Sequence, residues 1–154
     1  MKLLKVLLPI LAVVMYAAGC ATGPGYAQYS ATIKPPADGT GRIWFYRPSK
    51  MLGSAVQPHV FLNGENVGKA QPDCYFFVDR SPGDYEVKCS TEWADKSEIK
   101  LAAGDEQYVR LSLGIGFFVG HIIPKEVDKS TGLKEISNCK LITADGANAG
   151  LNSK

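Results

Sequence analysis

Four cysteines, two histidines and a small set of carboxylates are the side chains through which this chain of 154 residues could do chemistry. Cys20 stands apart, because it ends the apolar run "MKLLKVLLPILAVVMYAAGC" and follows three small residues. Cys74, Cys89 and Cys139 are scattered through the remainder, without the paired spacing of a zinc or redox motif. His59 and His121 have no cysteine or acid at a ligand spacing beside them, so no metal is expected. Glu92, Asp95 and Glu98 surround Trp93, a grouping that would suit glycoside hydrolysis by paired carboxylates; a solvated loop is by far the commoner source of such a grouping, and no second signature accompanies it. The glycines of "GIGFFVG" at 114–120 have the wrong final spacing for a dinucleotide loop and sit inside a β pattern. Neither a Gly-x-Ser-x-Gly elbow nor a Gly-Lys-Ser/Thr phosphate loop is present. The expectation is a chain without catalytic residues and without a cofactor.

The leader explains why Cys20 stands where it does. Met1–Lys5 carries two lysines and no acid, Val6–Tyr16 is apolar, and Ala17, Ala18 and Gly19 precede the cysteine. A basic start, an apolar centre of about 7–15 residues and a small-residue cleavage site define a secretory signal. The run is shorter than the roughly 20 residues of a spanning helix. An ordinary cut near Ala-x-Gly, with Cys20 incidental, is one reading. The sharper one is that Ala17-Ala18-Gly19-Cys20 resembles the lipobox of bacterial lipoproteins. That resemblance implies cleavage before Cys20, a diacylglyceryl thioether on its sulfur and acylation of the new amine. Each buried methylene contributes about 0.8 kcal/mol and one chain holds only marginally, so two or three chains would anchor the protein durably. Ala21 follows where an inner-membrane retention signal has Asp, which by the proteobacterial sorting rule implies the outer membrane.

The mature chain divides by composition. Residues 21–40, "ATGPGYAQYSATIKPPADGT", show neither strand nor helix period and read as a flexible spacer behind the lipidated cysteine. Residues 41–142 contain about seven short strands at intervals of roughly ten residues, separated by turn signals. "GRIWFYRP" alternates Ile43 and Phe45 against Trp44 and Tyr46 and stops at Pro48; "HVFLNGENVGKA" carries an Asn63-Gly64 hairpin turn; "GFFVGHIIP" is a strand ending at Pro124. "TGLKEISNCKLI" fits either a short helix or a last strand, and residues 143–154 read as a disordered tail. The fold class expected is an all-β antiparallel sandwich of immunoglobulin-like or PEGA-like type, with room for one short C-terminal helix. The formal charge of +2 resides in the leader: without Lys2 and Lys5, 15 of the 17 basic residues remain against 15 acidic ones. An evenly neutral domain is not a nucleic-acid binder.

"HVFLNGENVGKAQPDCYFFVDRSPGDYEVKCS" is similar to PEGA-type repeats in its polar Gly turn, its "VG" step and its "PG" hairpin. The wider stretch from "GRIWFYRP" to "EQYVRLSL" resembles an uncharacterised bacterial lipoprotein domain family. These resemblances imply a fold and an envelope setting, and no activity.

With Cys20 lipidated, three cysteines are left in an exported protein, where disulfides form. A two-residue Pro82-Gly83 loop would put Phe76 opposite Cys89 and Cys74 on the diagonal, about 7–8 Å away, a register that disfavours Cys74–Cys89 and that a longer loop would reverse. Cys89–Cys139, which would tie the C-terminal segment to the sheet, is the pair expected here and would contribute roughly 4 kcal/mol; three reduced, buried thiols are the alternative. The remaining lead is aromatic. Trp44, Tyr46, Arg47 and Trp93 would form a binding surface for an envelope protein or the cell wall, unless Trp44 and Tyr46 face inward as core.

Overall fold

The computed structural model describes residues 23–48, 53–90, 95–114 and 120–142. Nine strands form two sheets, β1 (Gly41–Arg47), β2 (His59–Leu62), β3 (Glu65–Lys69), β4 (Cys74–Arg80), β5 (Gly83–Cys89), β6 (Lys96–Leu101), β7 (Glu106–Gly114), β8 (His121–Val127) and β9 (Lys140–Leu141). Two short helices join them, α1 (Tyr26–Tyr29), continued by a 3-10 turn at Ser30–Thr32, and α2 (Lys129–Ile136). One sheet runs β8-β7-β1-β4-β9 and the other β3-β2-β5-β6. The architecture is the β-sandwich that the strand spacing predicts.

β1 and β4 decide the layering. "GRIWFYR" is buried along its whole length and "CYFFV" likewise, so neither strand has a polar face to give to solvent. Such strands must lie in the middle of a sheet covered on both sides. Ile43, Phe45, Phe76 and Val78 face the second sheet, where Val60, Leu62, Val87, Cys89, Ile99 and Leu101 meet them. Trp44, Tyr46, Tyr75 and Phe77 face the other way, into a separate cluster closed by Ile136 of α2, Cys139, Leu141 and Tyr26. Register keeps both sets aligned. Phe45 opposes Phe76 with rings stacked at 5.0 Å, and Trp44 lies between Phe77 at 4.8 Å and Tyr108 at 6.2 Å. Each such aromatic pair adds about 0.5–1.5 kcal/mol beyond its buried area.

The Asn63-Gly64 hairpin forms between β2 and β3, with φ of 48° and 82° at the two turn residues. Other expectations give way. The five-stranded sheet is mixed, with β1 parallel to β7 and β4 parallel to β9, while the four-stranded sheet is antiparallel as expected. The "PG" segment is not a hairpin, because β4 pairs with β1 and β9 while β5 pairs with β2 and β6. The chain crosses between sheets at Ser81-Pro82, since β4, apolar on both faces, is taken into the central position beside β1. Pro124 does not end β8 but lies within it, opposite Leu111; β8 is an edge strand, where a missing N–H costs no ladder bond. "TGLKEISNCKLI" supplies both alternatives in turn, helix α2 and then β9.

The stretch expected to be spacer is partly docked. Tyr26 N donates to Cys139 O at 2.9 Å, Leu141 N to Pro24 O at 2.8 Å, and Gly25 bridges to Lys140. Tyr26 sets its ring edge-on against Trp44 and Tyr75, at 5.6 and 5.4 Å. An apolar sheet face needs a cover, and Tyr26, Tyr29 and Ile33 supply it. The leader, residues 1–22, and the tail, 143–154, lie outside the described residues.

α2 starts on Asp128, whose carboxylate accepts from Thr131 N at 3.0 Å and from the Ser130 and Thr131 hydroxyls. These bonds stabilise the carboxylate and pull the pKa of Asp128 well below its ordinary value. The helix can lie close to β7 because its second turn carries Gly132, where an added Cβ would come 2.5 Å from the Tyr108 ring. Alanine in a helix interior is normally favoured over glycine by about 1 kcal/mol. Here the sign reverses: Gly132→Ala is expected to lose about 1–3 kcal/mol through overpacking, measured as a lower urea midpoint at unchanged slope.

Candidate functional site

The residues expected to make a binding surface are mostly consumed by the fold. Trp44 and Tyr46 are buried, at 2% and 0% exposure, under α2 and the N-terminal segment. The same alternation that sends Ile43 and Phe45 inward sends these two into the second cluster, which the cover of that face seals. Trp44 donates its indole N–H to Glu106 at 3.3 Å, and Arg42 forms a two-pronged ion pair with Asp79 at 2.7 and 2.8 Å. Trp93 and Glu92 lie outside the described residues, as does Cys20 with its small-residue box, Ala17, Ala18 and Gly19.

The cysteines do not pair. Cys74, Cys89 and Cys139 are free and buried. Cys89 faces the core between the sheets and Cys139 the cluster on the far side of the five-stranded sheet, so the sheet itself separates the expected partners. Burial pushes all three thiols up to about 12, which leaves them protonated and unreactive near neutrality. Among the described residues no three His, Cys, Asp or Glu side chains are placed to hold a metal ion. Asp95 meets His121 at 3.1 Å.

What the strands do assemble is a polar cluster at the end of β1. Arg47, the last residue of that strand, is 4% exposed and donates to three carbonyls, those of Val56, Ala70 (2.7 Å) and Gly53 (2.8 Å). It therefore clamps the chain segments on both sides of β2 and is not a surface contact. Burial lowers its pKa from the ordinary value, the cost of holding a cation away from water. On the helix side of the sheet, Glu135 of α2 accepts from the Tyr46 hydroxyl at 2.7 Å and from Arg110 at 2.9 Å. Burial, and then the bond to Glu135, raise the Tyr46 pKa far above its ordinary value.

Between these groups lies a cavity of about 220 Å³, lined by Arg47, Pro48, Arg110, Ser112, Leu113 and Glu135. Its origin is topological. The register of β1 with β7 ends at Tyr46 and Arg110, while β7 runs on to Gly114 with β8 alone. Among the described residues no strand takes the place that a longer β1 would fill. A second, shallower groove of about 800 Å³ is bordered by Asp84, Glu86, Glu98, Lys100, Gln107 and Glu126. Its charges are largely exposed ion pairs, Glu86 with Lys88 and Lys96 and Asp84 with Lys100, which contribute little. The sequence pattern hid the cavity because it depends on where β1 stops relative to a strand sixty residues later. The only local sign was Pro48.

Comparison with known proteins adds the following. Residues 37–121 match the family described as "Protein of unknown function (DUF2846)". An "Uncharacterized protein" of Haemophilus influenzae is 26% identical over 137 residues, covering 86% of this chain and 81% of the other. No solved structure matches.

The thiols give a measurable signature. A cysteine whose folded pKa is raised keeps its proton in the folded state after the unfolded chain has lost it. Their contribution is therefore intact below about pH 9 and falls as pH rises towards 12. Iodoacetamide at pH 8 is expected to leave Cys74, Cys89 and Cys139 unmodified in the folded protein and to modify all three in guanidinium. The denaturation midpoint is expected to drop above pH 9. Mass spectrometry reads the first and a denaturant series the second; a Cys89–Cys139 linked peptide would contradict both.

Proposed function

The chain belongs to the DUF2846 family of proteins of unknown function, and from that premise we propose that it is a lipid-anchored bacterial envelope protein whose β-sandwich has a structural or partner-binding role and no catalytic one. The observation that carries this reading is the leader, a basic start and an apolar run closed by Ala17-Ala18-Gly19-Cys20. Two or three acyl chains on Cys20 would hold the domain at the membrane, and Ala21 directs it to the outer one. Among the described residues no helix is long and apolar enough to cross a membrane. The partner-binding role rests on what the domain offers outside its two cores, the polar cavity at the end of β1 above all. A carbohydrate- or peptidoglycan-binding module was the alternative, and it rested on exposed aromatics; Trp44 and Tyr46 are buried, so that alternative loses its main support.

Tether length sharpens the proposal. Only Ala21 and Thr22 separate Cys20 from Gly23, and Gly23 is packed so closely that an added Cβ would strike Leu141 O at 1.9 Å. Three peptide steps span at most about 11 Å. The lipid would thus hold the end of the sandwich that carries β9 close against the bilayer, with no long spacer between.

Cys20→Ala is expected to abolish incorporation of labelled palmitate and to move the protein from the membrane to the soluble fraction. Palmitate labelling that survives in the variant would overturn the anchor, and so would unchanged membrane retention after a high-salt wash.

A further inference from the structure

The charged side chains are sorted along the strands, and register defines two ends. At one end β1 finishes on Arg47, with Cys74 opposite it and Lys140 beside Cys74. Arg110 lies there next to Tyr46, with Lys125 on its other side. Arg47 donates to Ala70 O, which brings Lys69 at the end of β3 to the same level. Glu135 of α2 meets Tyr46 and Arg110, with Lys134 before it in the last turn. At the other end β1 and β7 begin, β4 finishes on Arg80, and Arg80 meets Glu65 at the start of β3.

That second end is acidic. Its cations on strands and on α2 are matched one for one: Arg42 by Asp79, Arg80 by Glu65, Lys100 by Asp84 and Lys129 by Glu106. Asp38 and Asp105 stand in the connections before β1 and β7, and Asp128 just before Lys129. Glu98 and Glu126 border the same groove as Asp84 and Lys100. None of these five carboxylates has a cation partner among the described residues. The first end is basic. Arg110 is matched by Glu135. Arg47, Lys69, Lys125, Lys134 and Lys140 then stand against Asp73, beside Cys74, and Asp95, which reaches His121. Between the ends Glu86 is shared by Lys88 and Lys96. The stretches outside the described residues, leader aside, add no net charge, since Lys50 and Lys154 balance Glu92 and Asp145. A domain that is neutral as a whole is therefore polar along its length, positive at the end that carries β9.

We propose that this basic end lies against an anionic phospholipid surface and thereby sets which way the sandwich points. The proposal rests on the lipid anchor. Leu141 N bonds to Pro24 O and Gly25 bridges to Lys140, so the surface next to the basic end is the bilayer that would hold Cys20. A single bound anion calls for donors that converge on it, whereas cations spread over one end of a domain suit a sheet of headgroup charge. Distance makes the two ends unequal. Screening cuts the attraction off beyond a Debye length of about 10 Å at 0.1 M salt. The acidic end lies a seven-residue strand away, roughly 20 Å. The headgroups attract the basic end, and turning the domain over would bring its unmatched carboxylates against them.

Energy transfer in vesicles tests this. A dye is carried on one introduced cysteine, Ser54→Cys at the basic end or Ala103→Cys at the acidic end, both exposed positions. The native thiols at 74, 89 and 139 are buried and stay unlabelled. The protein isolated from membranes is reconstituted with a headgroup-labelled acceptor lipid, in vesicles of phosphatidylethanolamine and phosphatidylglycerol or of phosphatidylcholine alone. In the anionic vesicles at about 0.1 M salt, transfer from position 54 is expected to exceed transfer from position 103 at least about twofold. The contrast should shrink in phosphatidylcholine, and also at about 1 M salt, where the Debye length is about 3 Å. Lys134→Glu combined with Lys140→Glu, both exposed, should shrink it too; the salt and lipid comparisons need no variant. Equal transfer from the two positions would overturn the proposal and leave the basic end to a soluble acidic partner. A contrast that is the same in both lipids and at both salt concentrations would overturn it as well, by giving the orientation to the tether alone. Retention on phosphatidylcholine vesicles after the high-salt wash reads the anchor separately, so loss of the anchor and loss of the orientation are told apart.

Discussion

The structure depends on β1 having no polar face. Seven consecutive buried residues in one strand mean that apolar surface must be covered above and below at once. Burial of that surface, at about 25 cal/mol per Å², is the dominant favourable term available to a chain of this size. The second sheet covers one face. The other requires a third layer, which the protein assembles from α2, β9 and the segment before β1. Every unusual feature of the fold follows from that need. β4, apolar on both faces as well, is placed beside β1 and leaves its sequence neighbour β5 to the other sheet. α2 carries a glycine where it meets Tyr108, and Gly23 is pressed against the backbone of Leu141.

Polar groups enter the third layer only with partners. Arg42 meets Asp79, Trp44 meets Glu106, and Tyr46 meets Glu135, each bond joining an element of the sheet to its cover or its neighbour. Tyr75 and Tyr108 are exceptions: among the described residues their hydroxyls are buried without partners, and burial raises both pKa values above the ordinary tyrosine range. Their rings are what the cluster uses. Trp44 packs between Phe77 and Tyr108 with Tyr26 closing the edge, and the area those rings bury outweighs an unmade hydroxyl bond of about 1–3 kcal/mol.

Much of this was legible in the sequence. Alternation in "GRIWFYR" and the Asn63-Gly64 turn gave the strand and the hairpin, because period and positive φ are local properties. What escaped was partner choice. "CYFFVDRSPGDYEVKC" has the composition of a hairpin, and nothing local distinguishes a turn within a sheet from a crossing between two. The distinguishing signal was apolarity on both sides, in Trp44 and Tyr46 as much as in Ile43 and Phe45, and in Tyr75 and Phe77 as much as in Phe76 and Val78. Two-faced strands call for two covers, and a two-layer reading, in which one face of β1 turns inward and the other does not, set that requirement aside. The Cys89–Cys139 pairing failed for the same reason, since those residues lie on opposite sides of a sheet whose third layer had not been anticipated. The glycine- and proline-rich stretch before β1 looked like a spacer because its contacts are made by three isolated side chains, Tyr26, Tyr29 and Ile33, which show no period.

That third layer also joins the N-terminal segment to the wall of the cavity at the end of β1. The segment from Gly23 to Ile33 covers the aromatic cluster, and the same cluster is closed by α2, whose Glu135 lines the cavity. A pull on the N-terminal segment acts first on the bonds between Gly25, Tyr26, Cys139 and Leu141. Those lie one turn beyond Glu135, at the C-terminal end of α2. Anchor contacts and cavity therefore sit beside the same, C-terminal end of a single short helix, with Cys139 Sγ in contact with both Glu135 O and Arg47 O. A domain held within about 11 Å of the proposed lipid on Cys20 would have little freedom to turn. The direction in which its cavity opens would then follow from the docking of Gly23 to Tyr26 beside β9. Rotational freedom lost to the tether is freedom that a partner at the membrane surface does not have to remove on binding, so a short tether favours a partner fixed in the same layer.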